Sequence, residues 1–288
     1  MFKNLLICSD GSEFSEGAVR EGLKLAKLSG GKTTMLHVIE FNPEFEALAP
    51  NLVEKMEAGA GEDIEALKSR AEKEGVPCTA SIKRAERPHT VIVDEAEKIK
   101  ADAIVMGRRG RTGLKRVIMG SVTARVIGHA TRNVLVVPRA ARIDCRGILI
   151  ATDGSRCAEA ASRQAVAIAK SCGAPLTVVS VLHDEAMPSD FLTLKQRESI
   201  SKKALSDAEK CVQDVKDLAG KEGVKAEGLI MTGSPSEAVI KAAEDKKADL
   251  IVMGSHGRTG IERLLMGSVT ERVVNLASKA VLIVKTGI

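Results

Sequence analysis

Two short patterns hold residue types suited to chemistry, and each occurs twice in the 288-residue chain. The first is Asp-Gly-Ser, at Asp10 and again at Asp153, each time directly after an apolar run. A carboxylate there can accept hydrogen bonds from a nucleoside or contact magnesium through water. It can equally serve as a turn or helix-capping group, and the two roles are compatible. The second pattern is G-x2-G-x9-G-S, formed by Gly107, Gly110, Gly120 and Ser121, and again by Gly254, Gly257, Gly267 and Ser268. Glycines allow close approach of the backbone to a phosphate. A helix starting at Ser121 or Ser268, with the serine as N-cap, adds a hydroxyl, free N–H groups and the positive end of the helix dipole. Arg108, Arg109, Arg111, Lys115 and Arg116 reinforce the first loop, and His256, Arg258 and Arg263 the second, more weakly. One such loop alone reads as readily as turn glycines with a solvated rim; recurrence of both spacings favours an anion cradle. It is neither a Walker A loop nor the G-x-G-x-x-G dinucleotide fingerprint. Ser29-Gly30-Gly31, a superficial phosphate-loop candidate, falls at a helix end and reads as a C-cap.

The elements that must position these residues are themselves duplicated. Leu5-Leu-Ile-Cys-Ser-Asp-Gly-Ser returns as Ile148-Leu-Ile-Ala-Thr-Asp-Gly-Ser, Lys100-Ala-Asp-Ala-Ile-Val-Met-Gly as Lys247-Ala-Asp-Leu-Ile-Val-Met-Gly, and Met119-Gly-Ser-Val-Thr as Met266-Gly-Ser-Val-Thr. Collinear matches at nearly constant spacing mean one fold written twice, with domains expected at 1–141 and 142–288. The joint near residues 139–146 is short and polar, which favours packed domains over a flexible tether. Strand-length apolar runs lie at 4–9, 33–39, 78–82, 103–106 and 134–137, then at 148–151, 176–182, 226–231, 250–253 and 281–284. Helical spacing separates them, as at Ala18, Leu23, Leu25, Ala26 and Leu28. The expected fold class is therefore α/β, with two tandem, doubly wound, five-stranded parallel sheets of Rossmann-like type. Ligands of such sheets sit beyond the carboxyl ends of the strands where the winding reverses.

Composition narrows the function classes. The chain has five Phe and no Tyr or Trp, so it has few faces on which bases could stack. A net charge of +5, shared evenly between the halves, is no nucleic-acid arm. Neither nucleic acid nor membrane is an expected partner, since no apolar run is long enough to cross a bilayer. The N-terminal apolar stretch is too short for a secretion signal. Cys8, Cys78, Cys145, Cys157, Cys172 and Cys211 are scattered without metal-ligand spacing, so reduced structural thiols in a cytoplasmic protein are expected and no metal site is assigned.

Asp-Gly-Ser after the first strand, Leu36-His-Val-Ile closing the second, and G-x2-G-x9-G-S after the fourth together resemble the universal stress protein family, here in tandem over essentially the whole chain. The resemblance implies an adenine nucleotide alpha hydrolase-like fold and binding of ATP, ADP or AMP, with Mg2+ an optional companion reached through the phosphates. In its ATP-binding members the last glycine motif holds ribose and phosphates. That role falls to Gly107, Gly110, Gly120, Ser121 and Val122, and to Gly254, Gly257, Gly267, Ser268 and Val269. Val38 and Val181 match the main-chain positions that read the adenine edge, and Asp10 and Asp153 match the aspartate facing the nucleotide. Met106, Arg111, Met253 and Arg258 flank the same loops. Pairing of the last strands in family dimers implies an internal pseudo-dimer of the two domains; pairing of whole chains stays open.

The copies are not equal. Gly233-Ser-Pro follows the third strand in the second copy, whereas Glu86-Arg-Pro stands there in the first. A carboxylate aimed at a phosphate weakens binding, and one held by Arg84 or Arg87 is harmless, so two competent sites of different affinity are expected. His37 and His183 read as core or rim residues, and His89 and His256 lack a partner at catalytic spacing. No triad, metal cage or carboxylate pair is evident. The pattern thus points to nucleotide binding in a stress-response or regulatory protein, with at most slow hydrolysis. The alternatives are a slow Mg-dependent ATPase or phosphotransferase using Asp10 or Asp153, and an interaction module that nucleotide merely stabilises.

Overall fold

Apolar runs become strands wherever both faces can be buried. In the computed structural model, which describes residues 2–48, 50–110, 119–182, 193–257 and 266–286, the chain divides into two compact units, Met1–Arg142 and Ile143–Thr286. In the first unit β1 (Asn4–Cys8), α1 (Glu16–Ser29), β2 (Lys32–Glu40), α2 (Pro43–Leu48), α3 (Pro50–Lys73), β3 (Cys78–Ala85), α4 (Pro88–Lys98), β4 (Ala103–Gly107), α5 (Ser121–His129) and β5 (Asn133–Val137) follow in order. β1 pairs in parallel with β2 on one side and β4 on the other; β3 extends the sheet beyond β2, and β5 beyond β4. The winding therefore reverses between β1 and β4.

The second unit repeats this with β6 (Ile148–Ala151), α6 (Arg156–Cys172), β7 (Leu176–Leu182), α7 (Leu194–Lys221), β8 (Ala226–Thr232), α8 (Pro235–Asp245), β9 (Leu250–Gly254), α9 (Ser268–Leu276) and β10 (Ala280–Val284). β6 lies between β7 and β9, β8 pairs with β7, and β10 pairs with β9, all parallel.

Central strands are buried on both faces: Leu5, Leu6 and Ile7, and likewise Ile104 and Val105, are fully covered. Side chains alternate in direction along a strand, so burial of consecutive residues requires helices on both faces. Each such aliphatic side chain contributes about 1.5–3 kcal/mol of transfer free energy. The amphipathic α1 packs on β1 and β4, and α3 on β2 and β3. Gly30 ends α1 in the left-handed region (φ 55°), with its N–H donating to Lys27 and Ala26 carbonyls, so Ser29-Gly30 is a C-cap.

One expectation about the cysteines is overturned. Cys145 and Cys172 form a disulfide, with Cα atoms 5.6 Å apart, a separation at which two side chains can bridge. It joins the segment leading into β6 to the end of α6. Cys8, Cys78, Cys157 and Cys211 are not in disulfides, and burial pushes the Cys8 thiol up to about 12. No helix among the described residues is long and apolar enough to cross a membrane.

Candidate functional site

Both sites begin at the turn after the central strand. Gly11 (φ 74°) and Gly154 (φ 76°) adopt the left-handed backbone that the Asp-Gly-Ser turn requires. This closes an Asx turn: Ser12 N–H donates to Asp10 Oδ1 at 3.1 Å, and Ser155 N–H to Asp153 Oδ1 at 3.0 Å. The helix cap in the second unit is instead Ser155, whose Oγ accepts from Ala158 N–H at 3.2 Å. Each aspartate thus orients itself through Oδ1 and directs Oδ2 toward the glycine loop. A Cβ at Gly110 would stand 2.8 Å from Asp10 Oδ2, and one at Gly257 would stand 2.7 Å from Asp153 Oδ2.

The loop's far end is pinned to its start. Gly120 N–H donates to the Arg108 carbonyl and Gly267 N–H to the Ser255 carbonyl, both at 2.9 Å. Thr123 Oγ1 donates to the Gly107 carbonyl at 3.0 Å, and Thr270 Oγ1 to the Gly254 carbonyl at 2.9 Å. These threonines end both copies of Met-Gly-Ser-Val-Thr, and that repetition was the signal available for them. The serine placement needs correction: α5 and α9 start at Ser121 and Ser268, but the N-caps are Gly120 and Gly267, in extended conformation. Ser121 and Ser268 occupy the first helical turn, exposed, with no side-chain cap bond formed by the capping residue. The first N–H groups of both helices have no intrahelical partner at this end of the loop.

In the second unit these parts enclose a cavity of about 280 Å³. Asp153 and Thr152 enter from the end of β6, Val179 and Val181 from β7, and Met253, Gly254, His256 and Gly257 from β9 and its loop. Gly267, Ser268 and Val269 close it from the start of α9, and Pro235 and Val239 from α8. Asp153, Val181, Met253, Gly254, His256, Gly257, Gly267, Ser268 and Val269 all line this cavity, whereas Arg258 lies outside the described residues. Thr152 and Val239 are additions not assigned to the site from the sequence, and Pro235 comes from the Gly233-Ser-Pro turn. The volume approaches the lower end of small-ligand clefts, ~300–1,000 Å³. A larger space of about 580 Å³ opens between α6 and α7, lined by charges of both signs such as Glu159, Arg163, Asp207 and Lys210. It has no glycine loop and meets the smaller cavity at Thr152, so the smaller cavity is where the chemistry converges.

In the first unit Asp10, Gly107, Gly110 and Gly120 converge in the same way, with Gly120 close to Arg109 and Gly110. Met106 is buried at the end of β4, and Ser121 and Val122 open α5. Val38 lies near the end of β2, opposite Lys83 of β3, just beyond Leu36, whose carbonyl accepts from Ser9 N–H at 3.0 Å. Arg111, Lys115 and Arg116 lie outside the described residues, as do Arg263 and His183. Arg108 and Arg109 replace Ser255 and His256 of the second copy. Burial, then the neighbouring Arg109, pulls the Arg108 guanidinium below its ordinary range.

Three further expectations can be placed. Glu86 is exposed, and Arg84 is committed to Glu46 at 2.7 Å and Glu57 at 3.1 Å, while stacking on Phe41. His37 is buried within β2. His89 does have a neighbour: its ring lies 5.2 Å from that of His129, and burial, followed by the charges of His129, Arg125 and Arg87, lowers its pKa. No group of three or more metal-ligating side chains occurs among the described residues.

A doubly wound parallel sheet with a glycine-lined cleft at its switch point defines the class: an α/β protein built to take a ligand at the carboxyl ends of its strands. The chain belongs to the universal stress protein family, whose model matches residues 1–138 and 145–285. It is similar to a universal stress protein of Methanocaldococcus jannaschii, at 39% identity over 141 residues, covering 48% of this chain and 81% of the relative. A tandem-length relative from Synechocystis is 25% identical over 302 residues, covering 97% and 99% of the two chains. The crystal structure of a universal stress protein from Archaeoglobus fulgidus shares the fold, with a TM-score of 0.73 at 21% identity over 99% of this chain and 96% of that one.

Proposed function

We propose that each unit binds one adenine nucleotide and that the protein acts as a nucleotide-occupied stress-response or regulatory factor. The observation carrying this reading is the second-unit cavity, in which Asp153, Val181 and the loop glycines meet the start of α9. An adenosine group would lie against Val179, Val181 and Val239, with phosphates along the Gly254–Gly257 backbone toward Ser268. Anions are favoured at such a helix start because its N–H groups lack intrahelical partners. Mg2+ would be reached through the phosphates, with Asp153 or Asp10 as the nearby carboxylate. No cluster of three or more metal-ligating side chains stands at either cleft among the described residues, and the reading is binding rather than turnover.

Titration calorimetry of the full chain with ATP, ADP and AMP tests this, together with thermal unfolding. Saturating nucleotide should raise the unfolding temperature, because a ligand of the native state adds RT ln(1 + [L]/Kd). Asp153→Ala should weaken one class of site and leave the other intact. Unfolding temperatures unmoved by all three nucleotides would exclude the proposal and leave an interaction module.

A further inference from the structure

The larger space of the second unit, about 580 Å³ between α6 and α7, is not used by the nucleotide reading. The first unit shows which group bridges the equivalent pair of helices, α1 and α3. There Arg70 of α3 reaches across to α1, its Nη1 donating to Glu16 at 2.8 Å and its Nε to Glu74 at 3.2 Å. Glu16 and Glu159 correspond, each standing at the same distance beyond an Asp-Gly-Ser aspartate. The helices correspond too: Ala60, Ala71 and Val76 are buried, as are Ala208, Ala219 and Val224 at the same spacing. On that register Leu218 stands where the first unit has Arg70. The acid is kept and the guanidinium that satisfies it is missing.

A cation is released in the same way. Arg20, the counterpart of Arg163, is held in the first unit by Glu21 at 2.6 Å, and the second unit has Gln164 in place of that acid. Glu222, the counterpart of Glu74, is taken by Lys170 at 2.8 Å. Among the described residues no ion pair or side-chain hydrogen bond holds Glu159 or Arg163. Both line the cavity, joined by Lys210 from α7, while Val215 and Leu218 add apolar wall for a short alkyl chain. Glu159 and Arg163 lie one helical turn apart, about 5–6 Å at their Cβ atoms, so a single small molecule can span them.

We propose that this cavity is a second ligand site, which takes a small ampholyte with a guanidinium at one end and a carboxylate at the other. The guanidinium pairs with Glu159, as Arg70 pairs with Glu16 in the first unit, and the carboxylate turns to Arg163 and Lys210. An isolated exposed ion pair contributes little, so the ligand is retained by engaging both charges at once. The flat fork of a guanidinium matches a carboxylate in a way an ammonium does not, which selects the cationic end. Thr152 and Gly154, on either side of Asp153, line this cavity, and Thr152 lines the nucleotide cleft as well. The two sites therefore share a wall while drawing on different charged side chains.

The test is equilibrium dialysis of the full chain against radiolabelled L-arginine with no nucleotide present, so its outcome is independent of the nucleotide reading. One molecule should bind per chain. L-Citrulline, in which a neutral urea replaces the guanidinium, and agmatine, which lacks the carboxylate, should each compete about tenfold more weakly. Leu218→Arg, which installs the first unit's own guanidinium, should abolish binding. Glu159→Gln and Arg163→Gln, at exposed positions where the fold tolerates change, should each weaken it about tenfold. No binding at millimolar L-arginine would overturn the site. So would competition by L-citrulline equal to that of L-arginine, or binding unchanged in both Leu218→Arg and Glu159→Gln.

Discussion

Asp153 and Gly257 are matched so closely that a Cβ on the glycine would stand 2.7 Å from the aspartate Oδ2, and Asp10 and Gly110 repeat the relationship at 2.8 Å. Neither glycine has a positive φ, so alanine is permitted by the backbone and excluded by the carboxylate. Gly257→Ala should displace Asp153 while leaving the fold intact. If the carboxylate contacts the nucleotide, affinity at that site falls about tenfold, which is about 1.4 kcal/mol. Calorimetry on Gly257→Ala and Gly110→Ala, each expected to weaken a different site, checks this; unchanged affinity in both would remove the aspartates from the binding account.

A second carboxylate serves structure. Asp249 Oδ2 accepts from Asp144 N–H at 2.8 Å and Arg146 N–H at 3.0 Å, clamping Cys145 between them in the left-handed region at φ 57°. Asp102 does the same for the first unit, accepting from Lys3 N–H at 2.6 Å and Asn4 N–H at 2.9 Å. Asp249 is buried and Asp102 exposed. Removing a buried charge-assisted acceptor leaves two N–H groups unsatisfied, at about 1.5–3 kcal/mol each way of counting. Urea unfolding should therefore show Asp249→Ala costing more than Asp102→Ala; the reverse order would mean solvent replaces the buried bonds freely.

That clamp marks where the sequence could be read and where it could not. All ten strands stood out as apolar runs, the central ones most clearly because both of their faces are covered. β3 is the instructive boundary: its apolar pattern stops at Ile82, yet pairing continues to Ala85, because Glu40 and Ala85 still share the backbone ladder. Charged Lys83 and Arg84 are tolerated on a half-covered outer strand. The Lys-Ala-Asp repeat was visible, but only as a repeat, since the partners of Asp102 and Asp249 are backbone groups, which carry no residue signal. The cysteine pairing was hidden for a combinatorial reason: six cysteines allow 15 complete pairings, and only folded distance selects among them. Glycine N-caps in place of the serines follow from the loop's need to turn back onto Arg108 and Ser255, a tertiary constraint.

If each unit binds a nucleotide as proposed, the two sites should differ in salt response. The first loop sets Arg108 and Arg109, both half-buried, where the second sets Ser255 and His256. Arginine stays charged, and screening by salt acts on such attraction more than on hydrogen bonds. Affinity measured at low and high ionic strength should fall more steeply at the first site, and the double change Arg108→Ser with Arg109→His should flatten it. Parallel salt slopes would show that the arginines do not face the ligand.

The Cys145–Cys172 bridge closes a loop of sequence separation 27. Constraint of the unfolded chain by a loop of that length contributes about 3–4 kcal/mol in the chain-entropy account. Adding a reductant should lower the denaturation midpoint of the second unit correspondingly. Cys172→Ser should start at the lower value and ignore the reductant; a reductant effect that persists in the variant would locate the sensitivity in another thiol.

His89 gives the protein an acid-sensitive point. The ring is buried beside His129, and burial first, then the positive charges of His129, Arg125 and Arg87, disfavours its imidazolium. The unfolded chain protonates His89 near the ordinary value, about 6.5, while the folded state resists. Below that pH the unfolded state binds more protons, so stability falls as pH drops until the lowered folded pKa is reached. Above it this group contributes no pH dependence. The unfolding temperature should decline between pH 7.5 and 5.5. His89→Ser, which adopts the residue standing as Ser236 in the second unit, should reduce the slope of that decline whatever its effect on absolute stability. An unchanged acid slope in the variant would assign the sensitivity to other groups.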